Sequence, residues 1–145
     1  MRWWRVRTAV NAANGSTLLG LGVAALGRAA VGRGPRGLLL ATGYRLPFPV
    51  AGAFTVGDVV ITRHEPGWWA RRQRMLAHEE QHSWQWAVAC GLPMLPAYAV
   101  AAAWSYARAG DWATYNVFET RAGLADGGYP LLSRRQRRQR RGRTA

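Results

Sequence analysis

Apolar and polar positions change rhythm along the 145 residues, and the changes mark the elements. Between Ser16 and Ala30, leucine and alanine recur at helical spacing through Leu18, Leu21, Ala25 and Leu26. Ser16 or Thr17 can cap such a helix, and "GRGPRG" ends it. From Leu38 to Arg63 the rhythm shortens. "GLLLATGYRL", "GAFTV" and "DVVITR" are β-branched or aromatic runs separated by Gly and Pro, with Val56-Gly57-Asp58 as a turn. They predict two or three short strands in a small antiparallel sheet.

Beyond Trp68 the helical spacing returns. One helix is expected over about 69–90, stopped by Gly91-Leu92-Pro93, and an Ala-rich second over about 94–108. Asp111 can cap a third over about 112–125, which ends at Gly127-Gly128. The order of elements is that of an α+β domain, mainly helical, with the sheet preceding the longest helix. A single domain is expected over 1–132: an N-terminal helical segment (1–36), the sheet (37–64) and the later helices (68–128). Residues 133–145 show no apolar periodicity and read as a disordered arginine-rich tail.

Composition fits one domain with a real core, since 49% of residues are hydrophobic and eight are tryptophan. The net charge of +13 points to nucleic acid until its location is considered. Seven of the twenty basic residues lie between Arg134 and Arg143, and without them the charge falls to +6. Every basic residue is arginine, a bias that fits a GC-rich coding sequence better than a choice of guanidinium chemistry. Cys90 stands alone, so neither an intrachain disulfide nor a thiolate zinc cage can form, and it reads as a small core residue.

"MRWWRVR" followed by the apolar run from Leu18 to Gly27 has the outline of a secretory signal. Asn11, Asn14 and Ser16 interrupt it and no small-x-small cleavage site follows, so a cytoplasmic protein is the expectation. Two stretches, Thr8 to Gly27 and Ala87 to Ala107, lack charge for about a membrane span. Their asparagines, glycines and prolines favour buried or membrane-surface helices over spans, which leaves membrane association open. The pairs Trp3-Trp4 and Trp68-Trp69 can serve as core plugs or as interface anchors.

The chemistry concentrates in "LAHEEQHSWQW". Residues four apart share a helix face, so His78 and His82 can direct both rings at one metal ion. Glu79 is turned by ~100° from His78, close enough to hold a water beside the ion without ligating it. Zinc brings the pKa of a coordinated water to about 7, within reach of such a carboxylate as base. The alternative is two histidines satisfied by backbone carbonyls and aromatic neighbours, with Glu79 and Glu80 facing solvent. Apolar residues surround this helix almost completely, so its polar residues need partners, and a metal is an economical one. Glu80 falls on the far side and reads as structural.

Catalytic zinc commonly has three protein ligands. No His or carboxylate lies between His82 and Asp111, and Glu119 in "YNVFETRAG" follows His82 by 37 positions. Asp111 and Asp126 are rivals that read as helix caps, and Glu119 itself could instead form a surface pair with Arg121. The His2Glu precedent favours Glu119 as the ligand. Gln85, ~20° from His78 around the wheel, can support the ligands from behind, and Asn116 can orient Glu119. Tyr115, Arg121, Tyr129 and His64 are chemically able to stabilise an oxyanion.

"HEEQHSWQ" with "NVFETRA" resembles the H-E-x-x-H-x-x-Q and N-x-x-E-x-x-A pattern of small bacterial zincin-like proteins, and more broadly the gluzincin class of zinc metallopeptidases. The resemblance covers about 57–128. It implies an active-site helix beside a small sheet, His78, His82 and Glu119 as ligands to Zn2+, and Glu79 as general base. Gly123 stands where many gluzincins carry an aspartate, and their substrate-binding landmarks are not recognisable in so short a chain. The expected activity is zinc-dependent hydrolysis of a peptide or protein substrate. Two alternatives are a zincin-like protein that binds metal without catalysis, and an arginine-driven module for nucleic acid or another anionic surface.

Overall fold

The computed structural model describes residues 2–131 together with Gln136 and Gln139, so most of the arginine-rich tail lies outside the described residues. Its α-helices are α1 (Trp4–Ala13), α2 (Ser16–Leu26), α3 (Gln73–Val88), α4 (Met94–Ala109) and α5 (Val117–Ala122). Its strands are β1 (Ala30–Arg33), β2 (Leu39–Thr42), β3 (Ala53–Val56) and β4 (Val59–Thr62). The expected α+β class is what the chain adopts.

Strand β4 is buried along its whole length because both faces of the sheet are covered. Val59 and Ile61 point towards α2, packing with Ala24, Ala41 and Tyr44. Val60, one residue out of phase, points the other way and packs with Leu38, Trp69 and Leu76 on the α3 side. The result is three layers, α2, sheet and α3. Each of these three β4 side chains is completely buried, which stabilises the fold by about 1.5–3 kcal/mol relative to exposure.

The sheet corrects the expectation of a purely antiparallel arrangement. Its order is β1-β2-β4-β3, and β2 pairs with β4 in parallel, Leu40 opposite Val60. The connection after β2 carries the chain past the neighbouring position, and the tight β3–β4 hairpin then returns β4 into the gap. Gly57 makes that hairpin possible: its φ is +60°, and a Cβ there would lie 2.4 Å from the backbone of Ser16 and Thr17. Gly20 of α2 is equally constrained, since a Cβ would sit 2.3 Å from the Val56 carbonyl oxygen. Helix α2 therefore lies directly on the hairpin.

The N-terminal segment differs from the expectation of one helix running from about Ser16 towards Ala30. Helix α1 precedes the expected one, and α2 stops at Leu26, so that residues 30–33 can pair antiparallel with β2. Gly27 ends α2 against the Tyr44 ring, where a Cβ would lie 2.0 Å from the ring carbon Cδ2. Helix α3 also starts later than expected, because residues 66–71 form a 3-10 turn. The third of the later helices shrinks to α5. Asp111 closes a turn instead, accepting from the N–H groups of Ala113 (3.0 Å) and Thr114 (2.7 Å). Asn116 is the true N-cap, its Oδ1 accepting from the Phe118 N–H at 3.0 Å. Cys90 is exposed at the end of α3 with φ +56°, not a core residue.

Helix α1 is fastened by charge. Arg7, fully buried, donates from Nε to Asp58 Oδ1 (2.9 Å) and from Nη1 to Glu80 Oε1 (2.8 Å). One turn on, Asn11 donates to the Ser83 carbonyl at 3.0 Å, and Ser83 Oγ donates to Asp58 at 2.6 Å. This network joins α1, the hairpin and α3, and its directional bonds fix the rotation of α3 about its axis. Among the described residues no single helix is long and apolar enough to cross a membrane.

Candidate metal centre

The rotation of α3 that turns Glu80 to Arg7 turns His78, Glu79 and His82 towards the sheet edge, α4 and α5. His78 and His82 stand one turn apart with Nε2 atoms 3.1 Å from each other. Glu119, in the first turn of α5, brings Oε2 to 3.2 Å from His78 Nε2 and 3.5 Å from His82 Nε2. All three residues are buried, and their ligand atoms lie within 4.8 Å of one another, a group that could hold a metal ion.

Each group is held from behind. His78 Nδ1 lies 2.9 Å from the Gly123 carbonyl oxygen, and His82 Nδ1 lies 2.8 Å from Gln85 Oε1. Both partners are acceptors, so each ring carries its proton on Nδ1 and directs the Nε2 lone pair inward. Gln85 is itself fixed by donating to the Phe118 carbonyl at 2.9 Å. Tyr98, from α4, donates its hydroxyl to Glu119 Oε1. The other oxygen, Oε2, is buried without a hydrogen-bond donor. Three acceptor atoms thus converge with no donor among them, an arrangement that needs a cation, whether a proton on His82 or a metal ion.

The charge states follow from the same contacts. Burial disfavours the ionised Glu119, but the two histidines and the Tyr98 hydroxyl outweigh it and hold the carboxyl well below the usual range. Burial also disfavours a charged His82, yet Glu119 and Glu79 prevail and raise it. Glu79 behaves oppositely. Burial dominates and lifts its carboxyl above the ordinary range, only partly offset by His82 and by Thr55. Thr55 of β3 donates to Glu79 Oε2 at 2.6 Å, and Trp86 anchors that strand by donating to the Thr55 carbonyl at 2.9 Å.

Of the four residues considered for oxyanion stabilisation, the structure brings one to the centre. The Tyr129 ring lies 6.3 Å from that of His78. Its phenol is raised by burial first and then by the Glu119 and Glu79 carboxylates, so it stays a donor at neutral pH. His64 is exposed and stacked on Trp68 at 4.4 Å. Tyr115 and Arg121 are exposed rather than enclosed with the triad. Asp111 and Asp126, the rival ligands, are not among the converging group. Asn116 is fully buried and acts on the site through the start of α5.

Sequence reasoning missed Tyr98, Thr55, Gly123 and Gly127. Gly123, with φ +96°, turns its carbonyl onto His78. Gly127 passes so close that a Cβ would lie 2.7 Å from His78 Nε2. Tyr98 had a readable signal, since it falls one turn from Met94 and Ala102 on the inward stripe of α4. No protein-family model matches the chain, and neither a curated protein nor a solved structure matches it.

Proposed function

We propose that the protein is a zinc-dependent hydrolase acting on peptide bonds. The observation that carries this reading is the convergence of His78 Nε2, His82 Nε2 and a donor-less, buried Glu119 Oε2 beside the Glu79 carboxylate. Two imidazoles and one carboxylate suit zinc, with the remaining position left for substrate or water. His78, His82 and Glu119 would hold the ion, which supplies Lewis acidity towards an oxygen ligand.

The chain's own groups divide the remaining work. Glu79, held by Thr55, accepts a proton from the attacking water and passes it to the leaving nitrogen. Its raised pKa brings it closer to the working pH, which favours transfer in both directions. Tyr129 keeps its proton and is the enclosed donor for a developing oxyanion. Gly123 and Gln85 keep the two imidazole lone pairs aimed inward. The similarity of "HEEQH" and "NVFETRA" to gluzincin motifs supports the same assignment.

The test pairs metal analysis with turnover. Wild type is expected to bind one zinc ion and hydrolyse members of a peptide library. Glu79→Gln is expected to keep the zinc and lose about 10²–10⁴-fold in rate. Glu119→Ala is expected to lose the zinc. Unchanged zinc affinity in Glu119→Ala would remove that residue from the site, and zinc binding with no turnover would leave a metal-binding protein without the hydrolase.

A further inference from the structure

Helix α4 has an inward stripe and an outer face that do not match in chemistry. Met94, Ala102, Ser105 and Ala109 are buried, with Tyr98 on the same stripe at the metal centre. The rest of the circumference faces outwards, and it is not polar. Leu95 (51% exposed), Val100 (71%), Trp104 (57%) and Tyr106 (44%) stand there among alanines. The one charged residue of the helix is Arg108, whose guanidinium lies over the Trp104 ring at 5.1 Å. A helix bathed in water carries polar residues on its outer face, and one that is apolar all round is covered by something. The apolar surface continues beyond α4. Leu92, two residues before its start, lines a recess with Leu18 and Leu19 of α2.

Surface charge selects the cover. Of the seven acidic residues, Asp58, Glu79, Glu80 and Glu119 are buried. Of the thirteen arginines among the described residues, all but Arg7 are exposed. A second copy of this chain would meet the same positive charge. A nucleic acid would match the charge but offers no acyl-like surface for Leu95 and Val100. An anionic bilayer offers both, with acyl chains for the leucines and valine and headgroups for the arginines, while Trp104 and Tyr106 suit the depth between. Sixteen residues of helix span ~24 Å, short of the ~30 Å hydrocarbon core, so the geometry is that of a helix lying in the interface.

We propose that the outer face of α4 docks this protein onto an anionic phospholipid membrane. Tyr98 on the inner face touches Glu119, so docking sets the metal centre beneath the lipid-bound helix and directs its chemistry to substrates at the membrane surface. The docking itself does not depend on the metal reading. Vesicle binding and zinc content are read on the same samples, and either can fail alone.

The experiment uses the full chain with vesicles of phosphatidylcholine alone or mixed equally with phosphatidylglycerol, read by co-sedimentation and by tryptophan emission. Binding to the anionic vesicles with a blue shift is expected, with binding to phosphatidylcholine at least about tenfold weaker. Val100→Glu and Trp104→Ser, checked for native circular dichroism, are each expected to weaken partitioning by about tenfold. Val50→Ser, at another exposed apolar position (90%), is expected to leave it unchanged. Equal binding by the α4 variants and wild type would overturn the proposal, leaving arginine electrostatics alone. It would equally be overturned by absence of binding, or by a dimer that the α4 variants dissolve in place of vesicle binding.

Discussion

Glu79 and Glu80 are adjacent on one helix, both nearly inaccessible, and their surroundings push them in opposite directions. Glu80 lies between Arg36 and Arg7; burial works against its charge, but the two guanidinium groups outweigh burial and keep it ionised. Glu79 has no cationic partner of that kind, and burial lifts it. A carboxyl raised in the folded state costs stability once the pH exceeds its unfolded value near 4.5, because unfolding then releases a proton that folding must retain. Glu79→Gln is therefore expected to raise the melting temperature of the zinc-free protein at pH 7 and to leave it unchanged near pH 4, where both states carry the proton. Glu80→Gln is expected to do the reverse at neutral pH, costing about 1–3 kcal/mol in urea unfolding as Arg7 loses a buried charged partner. The sequence separated the two glutamates by angle alone. It could not supply Arg7, 73 positions earlier, as the partner of one of them.

At the scale of elements, legibility followed the strength of the local signal. The Val56-Gly57-Asp58 turn and the helix ahead of Gly110 stood out because glycine, proline and period punctuate them. Strand β1 was hidden because "AVGR" has no strand pattern of its own and forms only where β2 offers an edge. Parallel pairing of β2 with β4 was equally hidden, since it depends on where a connection passes and not on any residue in either strand. Helix α5 shows how a small misreading matters for chemistry. Asp111 and Asn116 are both good caps, and tertiary packing assigns the helix to Asn116, which is fully buried. That choice places Glu119 in the first turn, facing α3. Asn116→Ala is expected to cost about 1 kcal/mol as the cap is lost. It is also expected to weaken zinc binding about tenfold or more as Glu119 shifts. Isothermal titration with zinc and thermal unfolding of the same variant check both effects.

For the whole molecule, the three proposed ligands would couple metal, protons and folding. His82 and Glu119 lie 37 residues apart and come from different helices, so an ion held between them would fasten α5 to α3. Without metal, a proton on His82 does part of this work. His82 is raised in the folded state, so its contribution is fully present below the unfolded value near 6.5 and is lost as pH rises through the folded one. Glu119 is lowered, so its contribution is present above about 4.5 and is lost as pH falls through its folded value. The zinc-free protein is therefore expected to lose stability as pH rises above the unfolded value near 6.5 and the His82 proton leaves. Zinc requires that same nitrogen unprotonated, so its stabilisation must grow with pH over the range where the zinc-free form weakens. A fixed zinc concentration equal to 100 times the Kd at neutral pH is worth about 2.7 kcal/mol there. Thermal unfolding between about pH 5 and 9, with zinc or with a chelator, is expected to show a gap that widens towards alkaline pH. A gap independent of pH would mean that no proton leaves His82 when the metal binds, and it would exclude His82 as a ligand.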